Sequence, residues 1–416
     1  MTFEPDAAQL QAVDRITDWY RDPRAEQVYR LFGFAGTGKT TLAQHLASAL
    51  CPSGLVLYAA YSGKAANVLS RKGCHGASTI HRLIYTPQGK SREKIRELEE
   101  ALEGATDPAR VLDLTEELEA AKTEFHKPSF QLNQDSDLRR AKLLILDEVS
   151  MVNEYVARDL ESFGVRILCL GDPAQLPPVK GEGHYTDSAA DTLLTQIHRS
   201  ALDSPVTRIA TTVRQSTGDG RYGIDGMDGD SGRSADGVPL GEFDQILVGK
   251  NATRWAVISK VRKLAGNHGL PPQPGERILT LSNNSDCAVM NGEQFTILET
   301  DPNADREGHF YRLVVRTEDG WKRDLLVLRS GFTDVDGETE AKRAGWRGPL
   351  AAATYAHAIT VHKAQGSQWD NVLVLDESKV FGRRDHDMGR RWFYTAVTRA
   401  AKRVVIRPAP VARGKY

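Results

Sequence analysis

Val28-Tyr-Arg-Leu-Phe-Gly33-Phe-Ala-Gly-Thr-Gly-Lys-Thr40 sets an apolar run, a glycine-rich turn and the start of a helical pattern, Thr41–Leu50, end to end. Gly33–Thr40 matches the complete phosphate-binding loop, and strand before with helix after is the context that motif requires. Glycines let the backbone curl so that successive N–H groups point at phosphate oxygens. The following helix offers its positive end to the same anion. Gly33, Ala35, Gly36, Thr37, Gly38, Lys39, Thr40 and Thr41 are therefore candidates for binding ATP. Lys39 can neutralise the β and γ phosphates, and the Thr40 hydroxyl can ligate Mg²⁺.

Outward from this loop, similar apolar runs recur at Leu55–Ala60, Leu143–Leu146, Val165–Leu170, Ile246–Val248, Val372–Leu375 and Arg403–Ile406. Continuous apolar strands separated by helical stretches indicate parallel sheets covered on both faces. The fold class is α/β, with two α/β cores in one chain. Leu143-Leu-Ile-Leu-Asp147-Glu148 ends in two acids: Asp147 suits a Mg²⁺ contact, and Glu148 a base that deprotonates the attacking water. Gly171-Asp-Pro-Ala-Gln175 follows another strand, and Gln175 can sense the γ-phosphate.

Three segments break the rhythm. Leu98, Leu102, Leu114 and Leu118 lie among many charges between Pro87 and Arg140, which predicts two amphipathic helices inserted into the first core. Ser216–Glu242 is rich in Gly and Asp and is expected to be a mobile loop. Cys287–Gly348 alternates polar and apolar residues and predicts a small β insertion in the second core.

The chain has 416 residues, 40% hydrophobic and 26% charged, with a net charge of -1. That excludes the disordered class, and any nucleic-acid surface must be a local stripe. No apolar run approaches a membrane span, and Met1–Asp6 has no leader pattern, so a cytoplasmic protein (host cytoplasm if viral) with no membrane partner is expected. Cys51, Cys74, Cys169 and Cys287 are scattered, which argues for free thiols. Ala401–Tyr416 is basic and is expected to be a solvated tail.

The series of motifs resembles a superfamily 1B DNA helicase of the RecD-like and Dda-like group, from Gln9 to Arg399. Gln9 resembles the glutamine that reads adenine. Ser62-Gly-Lys-Ala-Ala66, Thr79-Ile-His81, Asp147-Glu148 and Gly171–Gln175 are similar to motifs Ia, Ib, II and III. Arg199, Thr360-Val-His-Lys-Ala-Gln-Gly-Ser367 and Tyr394–Arg399 are similar to motifs IV, V and VI. The family's usual Ala-Pro-Thr-Gly-Lys is here Ala60-Tyr-Ser-Gly-Lys64, without the proline.

The resemblance implies that Arg199 and Arg399 reach the γ-phosphate across a cleft between two RecA-like cores, with Gly366 on the nucleotide side. It implies DNA contacts at Ser62, Lys64, Thr79, His81, Thr360, His362 and Lys363. It divides the chain into a first core (1–86 and 141–190), a wedge insertion (87–140), a second core (191–286 and 349–416) and an SH3-like insertion (287–348). The wedge is either helical or a short hairpin near Phe125–Leu132.

The expected activity is ATP-dependent 5′-to-3′ translocation on single-stranded DNA with unwinding of forked duplex. A single-strand-binding protein or replication and recombination proteins are candidate partners. An ATP-gated binding switch, the motor subunit of a recombination nuclease, and an RNA helicase are the competing readings. Lys39→Ala should abolish DNA-stimulated ATP hydrolysis, because it removes the phosphate counter-charge. Near-normal turnover of that variant in a phosphate-release assay would refute the site.

Overall fold

The computed structural model describes residues 5–52, 54–87, 93–104, 107, 110–118, 130–177, 183–197, 203–216, 222, 224, 226–228, 230–234, 239–284, 286–318, 320–344, 349–383 and 385–409.

The first core is a parallel sheet. In chain order it contains β1 (Val28–Gly33), β2 (Val56–Ala60) and β3 (Ser78–Thr79), then, after a ribbon of β4 (Tyr85–Pro87) and β5 (Phe130–Leu132), β6 (Leu143–Asp147), β7 (Arg166–Gly171) and β8 (Thr192–Leu194). The spatial order is β3-β2-β6-β7-β1-β8, and every pairing is parallel. β6 shows why its run is uninterrupted in sequence. Leu143 and Ile145 join one apolar cluster with helices Ala7–Arg21 and Lys39–Leu50, while Leu144 and Leu146 join another with helix Glu154–Glu161. Successive side chains point to opposite faces, and both faces are buried. β8 belongs to this sheet, so the first core extends past residue 190, its expected end.

The expected helical insertion is present as Glu93–Glu103 and 110–118, with Leu98, Leu114 and Leu118 buried against Leu102 in a small cluster of their own. The hairpin considered near Phe125–Leu132 is not local. Phe130–Leu132 pairs antiparallel with Tyr85–Pro87, Tyr85 opposite Leu132, and forms a stalk at the base of the insertion; the rest of that segment lies outside the described residues.

The second core contains β9 (Met227–Asp228), β10 (Ser231–Arg233) and β11 (Gln245–Val248). The third sheet contributes β12 (Arg277–Thr280), β13 (Gln294–Asp301), β14 (Phe310–Thr317), β15 (Lys322–Leu328), β16 (Leu350–Ala351) and β17 (Ala353–Tyr355). The second core resumes with β18 (Ala358–Thr360), β19 (Trp369–Asp376) and β20 (Ala400–Pro408). Its order is β18-β11-β19-β20-β10-β9, parallel except for β9 and β10.

Two expectations fail here. Part of the glycine-rich stretch expected as a loop supplies strand β10 and the edge strand β9. Gly232 has φ +131°, and a Cβ there would lie 2.2 Å from the Gly226 carbonyl oxygen, so glycine serves a tight ribbon. The tail expected to be solvated is instead β20 through Pro408, with Val404, Val405 and Ile406 buried.

The inserted sheet has the order β16-β15-β14-β13-β12-β17 and is antiparallel except at β15–β16. It reaches beyond 287–348 at both ends, because Ile278 pairs with Tyr355. It also shares one apolar cluster with the second core, from Ile246 and Val248 to Phe295, Leu313 and Leu325. All four cysteines are free, and among the described residues no helix is long and apolar enough to cross a membrane.

The junction of insertion and second core holds a buried acid. Glu276 accepts from Arg262 Nε at 2.8 Å, from the Gln273 N–H at 2.7 Å, and lies 3.2 Å from His357 Nε2. Burial alone would raise its carboxyl, but the bonds from His357, Arg262 and Gln273 hold it down to about 2. A depressed carboxyl adds stability above its unfolded value and loses it as pH falls through the folded one. The stability advantage of wild type over Glu276→Gln in urea unfolding should shrink by roughly 3 kcal/mol between pH 5 and pH 2. A gap independent of pH would refute this account.

Candidate active site

β1 delivers the phosphate-binding loop to the C-terminal edge of the first sheet, beside β7 and β8, where open α/β sheets bind ligands. A Cβ on Gly33 would lie 2.6 Å from Thr37 Oγ1, so the first glycine is dictated by the curl of the loop. Gly38 sits at φ +75° directly before helix Lys39–Leu50. Lys39 Nζ donates to the Gly33 and Phe34 carbonyls at 2.5 and 3.2 Å. Gln9 is buried behind the loop, where its Nε2 donates to the Thr37 carbonyl at 3.1 Å.

A cleft of about 650 Å³ lies in front of the loop. Ala35 to Thr41, Asp147, Glu148 and Gln175 line it from the first core, and Gly366, Ser367, Thr398 and Arg399 from the second. Thr40 Oγ1 and Asp147 Oδ2 are 3.3 Å apart. Two oxygens beside each other on one octahedral Mg²⁺ stand about 2.9 Å apart, so this pair fits that ion. Burial pushes the Asp147 carboxyl up, adjacent Glu148 adds to the effect, and Lys39 opposes it. Glu148 holds φ +54°, a left-handed conformation rare outside glycine, directly after the strand.

Arg399 is buried and held by its own core: its Nε donates to Thr395 O at 3.2 Å and its Nη1 to Ser367 O at 3.3 Å. Its Nη1 lies 3.8 Å from Glu148 Oε1 in the other core. Gln175 is buried with its Oε1 unbonded in the cleft wall. Arg199, the other expected finger, lies outside the described residues.

Sequence reasoning missed what joins the two cores. Tyr394 OH donates to Asp172 Oδ2 at 2.8 Å and accepts from the Ala35 N–H at 3.1 Å. Leu176, fully buried, belongs to the apolar cluster of the second core; its N–H donates to Thr395 Oγ1 at 2.9 Å, and its carbonyl accepts from Gln365 at 2.9 Å. Burial raises the Asp172 carboxyl, with Lys39 and Tyr394 opposing. Asp172 and Tyr394 stand inside quoted motifs, but no spacing rule pairs residues 222 positions apart.

The candidate DNA contacts divide into two sets. Thr79 and Thr360 occupy matching places, each ending an edge strand and capping a one-turn helix: Thr79 Oγ1 accepts from Arg82 N at 3.2 Å and Thr360 Oγ1 from Lys363 N at 3.4 Å. His81 stands between the rings of Tyr61 and Tyr85, and His362 beside Phe381. Burial lowers both imidazoles and favours their neutral form. Lys363 reaches the surface but is crowded by protein; desolvation, with Arg254 adding repulsion, brings its amine down to about 8.

Ser62 caps helix Gly63–Arg71, and the next residues lean on other parts of the protein. Lys64 is paired with Glu318 of the inserted sheet at 3.2 Å and lies 4.3 Å from the Trp369 ring centre. The structure therefore places Lys64 within an internal contact, apart from the other candidates.

Residues 5–228 match the family described as AAA domain, and residues 355–406 match the UvrD-like helicase C-terminal domain. The ATP-dependent RecD2 DNA helicase of Deinococcus radiodurans is 26% identical over 410 residues, covering 90% of this chain and 46% of that protein. The RecBCD enzyme subunit RecD of Mycobacterium tuberculosis is 27% identical over 373 residues, covering 77% of this chain and 59% of its own. The chain thus spans about half the length of the curated relatives it matches. The crystal structure of Bacteroides Pif1 bound to ssDNA has the same fold, with a TM-score of 0.53 at 16% identity, covering 97% of this chain and 92% of that one. The AAA-domain match over more than half of the chain, and the run of motifs from Gln9 to Arg399, identify it as a member of the AAA-domain family, among the RecD-like superfamily 1B helicases.

Proposed function

We propose that this chain is an ATP-driven motor that moves 5′-to-3′ on single-stranded DNA and separates the duplex ahead of it. The observation that carries the reading is the shared cleft: Lys39 stands on one side and Arg399 on the other, with Arg399 3.8 Å from Glu148. Lys39 binds the β and γ phosphates, which compete with the Gly33 and Phe34 carbonyls for its ammonium. Thr40 and Asp147 would hold Mg²⁺, which would neutralise phosphate charge. Glu148 takes the proton of the attacking water, and Gln175 orients that water through its free Oε1. Arg399, joined by Arg199, neutralises charge on the transferring phosphoryl group.

The γ-phosphate draws cations of both cores towards one point, and hydrolysis releases them. The matching Thr79 and Thr360 caps support a DNA track crossing both cores, with Ser62, His81, His362 and Lys363 beside it. Phosphate contacts there give affinity without sequence preference. The helical pair of the first core serves as the wedge. The action takes place in the cytoplasm, alongside single-strand-binding or recombination proteins. Likeness to a RecBCD subunit favours a second reading, a motor subunit of a recombination nuclease.

Arg399→Ala should lower ATP turnover by at least about a hundredfold while nucleotide binding stays within about threefold. Steady-state hydrolysis and fluorescent-nucleotide titration measure the two, and unchanged hydrolysis excludes the finger role. A fork with a 5′ single-stranded tail should be unwound and one with only a 3′ tail should not. The reverse preference in a strand-displacement assay overturns the polarity.

A further inference from the structure

Core 2 does more than send an arginine to the cleft: it also holds the outer half of the phosphate-binding loop. The guanidinium of Arg214, on helix Pro205–Gln215, lies 3.7 Å from the centre of the Phe34 ring. One residue on, the Ala35 N–H donates to Tyr394 OH, on helix His386–Val397, at 3.1 Å. The same hydroxyl donates to the buried Asp172 carboxylate at 2.8 Å, which fixes its direction. The two helices are tied together, since Arg390 Nη1 donates to the Arg214 carbonyl at 2.8 Å. Phe34 and Ala35 thus sit between a cation and a phenol that belong to one unit of the opposite core.

Ala35 and the inner half of the loop, Gly36 to Thr41, line the cleft itself. Phe34 also connects to the phosphate lysine, since its carbonyl accepts from Lys39 Nζ at 3.2 Å. A movement of core 2 therefore acts on the backbone that shapes the phosphate cradle, without passing through the nucleotide.

We infer that Arg214 and Tyr394 are positioning residues that grip the phosphate-binding loop at Phe34 and Ala35, and that DNA-driven closure of the cores stimulates hydrolysis through this grip. The inference rests on the motor function proposed above. Neither side chain needs to touch ATP. A cation over an aromatic face, and a loop N–H donated to a hydroxyl that a buried carboxylate fixes, are each strong enough to bias a loop between two arrangements.

The test compares Tyr394→Phe, Arg214→Gln, Arg214→Lys, Phe34→Leu and the double variant Phe34→Leu/Arg214→Gln, each with and without single-stranded oligonucleotide. In Tyr394→Phe and Arg214→Gln the ratio of DNA-stimulated to unstimulated kcat should fall about tenfold while KM for ATP moves less than about twofold. Arg214→Lys keeps a cation over the ring and should retain most of the stimulation. The double variant should be no worse than its more severe single, because both changes remove one contact. Undiminished stimulation in Tyr394→Phe and Arg214→Gln overturns the grip while the motor function stands. So does an equal loss with and without DNA, which marks a merely structural role. If wild type shows no DNA-stimulated hydrolysis, the motor function fails and takes the grip with it.

Discussion

Two carboxylates around one phosphate-binding loop tie the cores to each other. Asp172 is buried and Asp147 half-buried in the wall of the cleft, where burial disfavours an unpaired charge. Asp147 is balanced from within its own core by Lys39 and Thr40, whereas Asp172 takes its hydroxyl partner, Tyr394, from the other core. The carboxylates of the cleft are therefore satisfied from both cores. Burying Leu176 in the second core is worth about 2 kcal/mol. The flanking hydrogen bonds at Thr395 and Gln365 contribute about 1 kcal/mol each, net, so plug and bonds weigh about equally in joining the cores.

The two cores repeat one solution at an edge of each sheet. β3 and β18 each end in a threonine that caps a single helical turn bearing a histidine. Burial lowers both imidazoles and favours their neutral form. Their rings pack against Tyr61, Tyr85 and Phe381. Lys64 stands apart, because the inserted sheet presents Glu318 to it and to Arg71 at 3.2 and 3.8 Å. That sheet is thus continuous with the second core through its apolar cluster and bound to the first through ions.

Much of the architecture was legible because its strands are buried on both faces. Runs such as Leu143–Leu146 and Ile167–Leu170 have no polar residue to alternate with, and such runs in an α/β chain become parallel strands. Composition misled where glycine had a steric purpose, as at Gly232, and where basic residues flank a buried stretch, as in β20. Pairings such as Ile278 with Tyr355 left no trace in local pattern. The same holds for the nucleotide site. Lys39, Thr40, Asp147 and Glu148 announce themselves by motif, since each lies next to its own strand end. Tyr394, Asp172 and Arg214 work through partners in the opposite core, and a single sequence does not record distance in space.

The left-handed backbone of Glu148 shows how the two kinds of residue meet. A non-glycine residue in that conformation costs about 1 to 2 kcal/mol, and such strain persists only where the surroundings enforce it. Here Val149 and Val152 are buried on one side, and Asp147 Oδ1 accepts the Glu148 N–H at 2.9 Å on the other. The turn aims the carboxylate across the cleft, where Arg399 waits at 3.8 Å. That separation is too long for a hydrogen bond, so the attraction is Coulombic and leaves the carboxylate oxygens geometrically open to a water. A carboxylate held by strain from its own core and by field from the other is responsive to their separation.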